Sequence, residues 1–191
     1  MMKTERFEAL IDAILAIIIT IIVLEIPLAS NGSWQALFDI KYEFAIYAIS
    51  FMICFNFWNF NNNIFSIVNK IDYKVIWTMG LTLFVFSLLP YLTTFVAENF
   101  YLFFPQFLYG LCFIITAVLS LLISKFLKDT DPANIALQLA LDKHYAIYGT
   151  IICVAIGMII GYFIYPPAVM ICCLISILGV WCIPKIQCHL S

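Results

Sequence analysis

The sequence predicts an all-α integral membrane protein of six transmembrane helices, with the N-terminus and the C-terminus both cytoplasmic. Three observations carry that reading. Of the 191 residues, 65% are hydrophobic and only 10% charged, and the mean hydropathy is +1.07, more apolar surface than a water-soluble chain of this size needs. Apolar stretches of about 20 residues recur six times, each long enough to cross roughly 30 Å of hydrocarbon as a helix. Lysine and arginine fall almost wholly on one set of alternate connections, the pattern produced when positive residues are held inside.

The first span is expected from Phe7 to Leu28, and Thr20 is the one hydroxyl in its isoleucine-rich interior. A cleaved signal peptide is the competing reading of this segment, since IPLAS resembles a small-residue cleavage site. Its length and the acidic Glu8 and Asp12 near its start argue against that. The outer loop that follows carries the sequon Asn31-Gly32-Ser33, for which a turn is the simpler role. The second span is expected from Phe44 to Val68 and the third from Val75 to Val96, where Pro90 should kink the helix or end its regular part. The fourth runs from Phe103 to Leu127. After it, KDTDPANIALQLALDKH reads as a short interfacial helix starting at Asp131-Pro132, a capping carboxylate followed by a first-turn proline. The fifth span, Tyr145 to Tyr165, holds Gly157 and Gly161 four residues apart, which permits close backbone approach either within a subunit or between subunits. The sixth runs from Ala168 to Ile186. Connections this short leave no room for a soluble domain, so residues 1–191 read as one membrane domain.

With the N-terminus inside, the inner segments carry Lys3, Arg6, Lys70, Lys74, Lys125, Lys128, Lys143 and Lys185, against Lys41 alone outside. Spans two to six carry almost no charge, which disfavours a proton-coupled carrier or pump, because such machines need a titratable relay near the midplane. An intramembrane enzyme is disfavoured as well: there is no HExxH, no GxSxG and no histidine cluster. His144 and His189 both fall at cytoplasmic helix ends. The seven cysteines lie almost entirely in apolar runs without repeated CxxC spacing and read as small hydrophobes. Cys182, Cys188 and His189 are near one another in sequence, but nothing in their spacing favours a metal site. A net charge of −2 gives no sign of a nucleic-acid partner.

Buried polar groups are therefore the informative ones. Arg6 and Asp12 are six residues apart, read as nearly opposite faces of the first helix on which they cannot pair, so each must meet another helix or another subunit. The second span carries Asn56, Asn59, Asn61, Asn62 and Asn63 with Trp58 among them. Asn56, Asn59 and Asn63 share one face, which should point into protein near Asp12 and Arg6, either as glue between helices or as part of a gate. Ile17, Ile21 and Leu24 also share a face, and periodicity alone makes them core or lipid-facing residues.

The string RFEALIDAILAIIITIIVLEI resembles the first helix of the transmembrane protein 175 family of potassium channels, whose members open with Arg, three residues, then FSD and a similar Ile/Leu/Thr run. SFMICFNFWNFNNNIF resembles the family's second helix and SLLPY the end of its third. The chain departs from the pattern at Leu10-Ile11-Asp12 in place of FSD, at Asn61-Asn62 in place of paired histidines, and at Met79 in place of an asparagine.

What the resemblance implies is a bacterial-type, six-helix subunit of the inner membrane that assembles as a homotetramer in the lipid bilayer. Its first helices would line a pore, with constrictions at Ile17, Ile21 and Leu24 and with Thr20 beside them. Arg6, Asp12, Trp58, Asn59, Asn61 and Asn62 would form the polar network that holds the assembly. Potassium would be the permeant ion, with no cofactor, and no arginine series marks a voltage sensor. Two other functions compete: a non-conducting scaffold of the same fold, suggested by the altered FSD and paired-histidine positions, and a small-solute transporter, which the scarcity of intramembrane charge disfavours.

Overall fold

The computed structural model describes the backbone of residues 4–141 and 145–189, and the side chains of residues 6–141 and 145–179. Every described element is a helix. The first, α1 (Thr4–Leu24), ends where Glu25, Ile26 and Pro27 follow, since proline cannot continue the hydrogen-bond ladder. Phe7, Ile11, Leu15, Ile18 and Ile22 are buried and mark one side of it. That stripe packs chiefly on α3 (Lys41–Phe65), with further contact to α5 (Leu89–Glu98).

Between α1 and α3 lies a six-residue helix, α2 (Trp34–Asp39), that the hydropathy pattern did not announce. Ser33 caps it by accepting a hydrogen bond from the Ala36 N–H at 3.2 Å, and the Asn31 side chain accepts from the Ser33 N–H at 3.0 Å. The sequon is thus a turn feeding a helix cap.

The third span is broken. α4 (Tyr73–Phe86), capped by the Asp72 carboxylate, stops at Ser87, and α5 restarts at Leu89 with Pro90 in its first turn. Proline has no N–H to offer the preceding turn, so the chain tightens, with Leu88 N–H donating to the Val85 carbonyl at 3.2 Å, and then begins a new helix.

The fourth span, α6 (Phe103–Thr130), is 28 residues long and carries a ladder of hydroxyls in its buried face. Thr116, Ser120 and Ser124 each donate to the carbonyl four residues back, at 2.9 Å. Their protons are thereby satisfied within the helix, as an apolar interior requires.

The interfacial helix begins later than expected. It is α7 (Ile135–Leu141), and Asn134 caps it through a hydrogen bond from the Leu137 N–H at 3.1 Å. Asp131 ends α6 instead, because its carboxylate accepts hydrogen bonds from the side-chain amides of Asn69, at 3.3 Å, and Asn134, at 3.4 Å. Pro132 sits in the intervening turn.

α8 (Tyr145–Phe163) and α9 (Ala168–His189) form a tight hairpin across Pro166 and Pro167. The close approach needs glycine: a Cβ at Gly157 would stand 2.7 Å from the Cys172 Cβ, and one at Gly161 would stand 3.1 Å from Val169. The two glycines therefore serve packing inside the subunit.

Among the described residues, five helical segments are long and apolar enough to cross a bilayer, and the apolar described part of α9, Ala168–Gly179, is shorter. The contacts also define two ends of the bundle. At one end Asn69 and Ile67 meet Asp131 and Asn134, and Lys74 lies over the Phe126 ring. At the other, the Tyr42 and Tyr101 hydroxyls pair at 2.7 Å. Lys3 and Lys143 lie outside the described residues, and the Lys185 side chain outside the described side chains.

Candidate functional site at the first helix

With α1 seated on α3 and α5 by its buried stripe, a second apolar row, about 110° round the helix from the first, is left open by the subunit. Ile17 is 58% exposed, Ile21 39% and Leu24 75%, with Leu10 at 51% on the same side. Thr20 is exposed beside them and donates its hydroxyl proton to the Ala16 carbonyl at 2.8 Å. Its oxygen therefore presents lone pairs outward, toward whatever lies against this face.

Rotation of α1 about its axis is held by contacts toward its N-terminal end. The Trp58 indole N–H donates to an Asp12 carboxylate oxygen at 2.9 Å, joining α1 to α3. Phe7 meets Phe65 edge-on, with ring centroids 5.6 Å apart. A charge-assisted hydrogen bond at Asp12 and an aromatic pair at Phe7, about 140° apart round the helix, fix its rotation and leave Ile17, Ile21 and Leu24 uncovered by the subunit.

The remaining polar candidates do not join this contact. Asn61 is buried, and its amide donates to the Phe57 carbonyl at 2.7 Å, within its own helix. Asn59 and Asn63 are exposed and bond each other at 3.3 Å. Asn62 is exposed, as is Arg6, for which no ion pair with a described residue is recorded. Asn56, half-buried, lines a half-open pocket. The expectation that Asn56, Asn59 and Asn63 face Asp12 and Arg6 is therefore corrected. At about 100° per residue, Trp58 shares a side with Asn62, while the other three asparagines lie well round the helix. Once Trp58 takes Asp12, they must look elsewhere.

Two features escaped the sequence reading. A buried hydroxyl knot joins α3, α5 and α6, with Ser50 Oγ 2.8 Å from both Thr93 Oγ1 and the Tyr109 hydroxyl. Thr93 already donates to Leu89, so Ser50 donates to Thr93 and Tyr109 donates to Ser50. The three residues are separated by 43 and 59 positions, and no local pattern links them. At the far end of α1, Glu25, Glu43 and Glu98 line a cavity of about 80 Å³, and one Glu43 carboxylate oxygen is sequestered there without a hydrogen bond. Among the described residues no group of three His, Cys, Asp or Glu is placed to hold a metal ion, and the Cys182, Cys188 and His189 side chains lie outside the description.

Comparison with known proteins bears on the same segment. The family model for the endosomal/lysosomal potassium channel TMEM175 matches residues 6–90, from Arg6 through the Asp12–Trp58 contact to the Pro90 break. A potassium channel of Chryseobacterium sp. (strain P1-3) is 30% identical over 165 residues, 86% of this chain and 85% of that one. The chain belongs to the TMEM175 family. A potassium channel of Streptomyces collinus is 30% identical over 102 residues, covering 51% of this chain and 50% of that one. In three dimensions the chain matches the crystal structure of a lysosomal potassium-selective channel TMEM175 homolog from Chamaesiphon minutus, with a TM-score of 0.70 and 21% identity over 93% of this chain and 96% of that one. At that identity the likeness is one of fold. The family match places this chain among multi-pass membrane proteins of the channel class and not among enzymes.

Proposed function

We infer that the chain is the subunit of a homotetrameric, potassium-permeable channel, inserted with both termini cytoplasmic and lined by four copies of α1. The observation that carries this reading is the exposed row on α1, set apart from a fully packed stripe on the same helix and held in rotation by Asp12 and Trp58. Membership of the family and the potassium-channel names of its relatives support the same reading.

Ile17, Ile21 and Leu24 from four copies would form apolar rings, with Thr20 between them. Such a ring offers no ligand to replace lost water. Passage is limited by the work of stripping or squeezing the hydration shell, which is smaller for potassium than for sodium, and the ring gates by dewetting. Modest, leak-like selectivity follows, without a carbonyl filter of the TVGYG kind. Arg6, Asp12, Trp58, Asn59, Asn61 and Asn62 serve assembly in this reading, with Asp12 and Trp58 as its centre.

The deciding experiment is the reversal potential of purified protein in a planar bilayer, with potassium on one side and sodium on the other. A stable current reversing toward the potassium equilibrium potential is expected. Silence from preparations in which tetramers are confirmed would overturn the reading and favour a scaffold of the same fold.

A further inference from the structure

Away from α1, a half-open pocket of about 190 Å³ lies among α3, α4, α6, α7, α8 and α9. Its walls are largely apolar, with Phe57, Phe86 and Phe113 among them, and among the described residues no ionisable side chain lines it. Thr116, Ser120, Thr150 and Ser176 also face it. Each of these hydroxyls donates to a carbonyl of its own helix, at 2.9, 2.9, 3.1 and 2.8 Å respectively. Their protons are committed, so toward the cavity these oxygens act as acceptors.

Asn56 stands apart from them. It lies near the middle of α3, it lines the same cavity, and no described residue hydrogen-bonds its side chain. An amide carries two donors and an acceptor, and leaving them unpaired at membrane depth is costly. Half-buried and unpaired among the described residues, the amide is open to a small molecule in the pocket.

We propose that this cavity binds a small uncharged alcohol or phenol, whose apolar body fills the aromatic-walled part and whose hydroxyl pairs with Asn56. Size sets the body. An apolar cavity of about 150 Å³ accommodates benzene, so this one takes a ring with one or two small substituents and excludes a full-length acyl chain. An uncharged ligand is favoured because no described residue lining the site supplies a counter-ion. The hydroxyl is selected because it accepts from the Asn56 amide nitrogen and donates to an oxygen, either that of Asn56 or one of the four acceptors. A hydrocarbon of the same shape meets none of these groups. The exposed Ala140 of α7 lines the rim and marks a way in. This site does not depend on whether the chain conducts.

The test uses the full chain in lipid nanodiscs and two probes of matched shape, 4-fluorophenol and 4-fluorotoluene, followed by fluorine NMR against empty nanodiscs. The expected result is a saturable bound resonance for 4-fluorophenol, with 4-fluorotoluene binding roughly tenfold more weakly, about the effect of one net hydrogen bond. Asn56→Leu should abolish that preference. Ala117→Leu, which adds bulk to the cavity wall, should remove the bound resonance of both probes while the protein melts normally. A phenol signal identical to that of empty nanodiscs means that the cavity holds only water, and the proposal fails. A bound signal that persists in Ala117→Leu places binding elsewhere and overturns it equally. Should Asn56→Leu not fold, the preference for phenol over toluene in the wild type and its loss in Ala117→Leu decide the matter.

Discussion

Asp12 makes a 2.9 Å hydrogen bond to the Trp58 indole, and that bond ties the first helix to the third. Its carboxylate is exposed within a single subunit, so its stabilising effect in one chain is modest, about 1 kcal/mol. Asp12→Asn keeps an acceptor but loses the charge, and is expected to lower the melting temperature of the assembled protein by a few degrees and to reduce tetramer yield. Trp58→Phe keeps the ring and removes the donor, and should reproduce that loss. Unchanged yield and melting in both variants would show that the contact is not an anchor. Gly157 makes a second prediction at this scale. A Cβ there would press on the Cys172 Cβ at 2.7 Å, both atoms belonging to packed helices with little freedom to withdraw. Gly157→Leu should cost about 1–3 kcal/mol through overpacking, read as a lower melting temperature, whereas Gly149→Leu, with open space around it, should be nearly silent.

At the scale of the element, α1 is apolar on two sides for two different reasons. The Phe7, Ile11, Leu15, Ile18 and Ile22 side is packed by its own subunit, and the Ile17, Ile21 and Leu24 side is not. If the open side lines a pore, an amide in the ring wets it and lowers the dewetting barrier. Ile17→Asn is expected to raise unitary conductance several-fold and to weaken selectivity, while Ile17→Leu changes little. The matched substitution on the packed side, Ile18→Asn, should instead impair folding, because it buries an amide among apolar neighbours. Equal currents from well-assembled wild type and Ile17→Asn would remove the pore from this face. The break at Ser87 and Leu88 also belongs to this scale: it divides one membrane crossing into α4 and α5, and α5 brings Thr93 to the hydroxyl knot with Ser50 and Tyr109.

For the whole molecule, lipid as the surrounding solvent explains the distribution of side chains. Trp77 is 76% exposed and Phe84 64%, whereas Ser50, Thr82 and Gln106 are fully buried. Hydrophobic residues outside cost nothing in hydrocarbon, and the hydroxyls inside are reconciled by bonds to their own helix, as Thr82 to Thr78, or to other helices, as Ser50 to Thr93 and Tyr109. Association of subunits then rests on fit and polar contact more than on the hydrophobic effect. Native mass spectrometry of gently extracted protein should show four copies, and a purely monomeric chain that still conducts would overturn a pore lined by four α1 helices.

Much of this was legible in the sequence, for physical reasons that operate locally. Span length follows from hydropathy, the break in the third span follows from Pro90, and the turn at Asn31 and Ser33 follows from side chains that bond their own backbone. These depend on neighbours within a few residues, which the sequence displays directly. Rotation of each helix about its axis does not. A helix that is apolar all round gives no periodic signal of which side is packed, so the buried and open sides of α1 look alike on paper. Only the contact of Asp12 with Trp58 and of Phe7 with Phe65 separates them. The same uncertainty misdirected the asparagine face of α3, hid the hydroxyl knot, and transferred the α7 cap from Asp131 to Asn134 once Asn69 had claimed the aspartate. The sequence by itself determined a bundle of membrane-spanning helices and where each begins to break. Tertiary structure alone decided which sides meet, because burial of a polar group requires a partner that is distant along the chain and close in space.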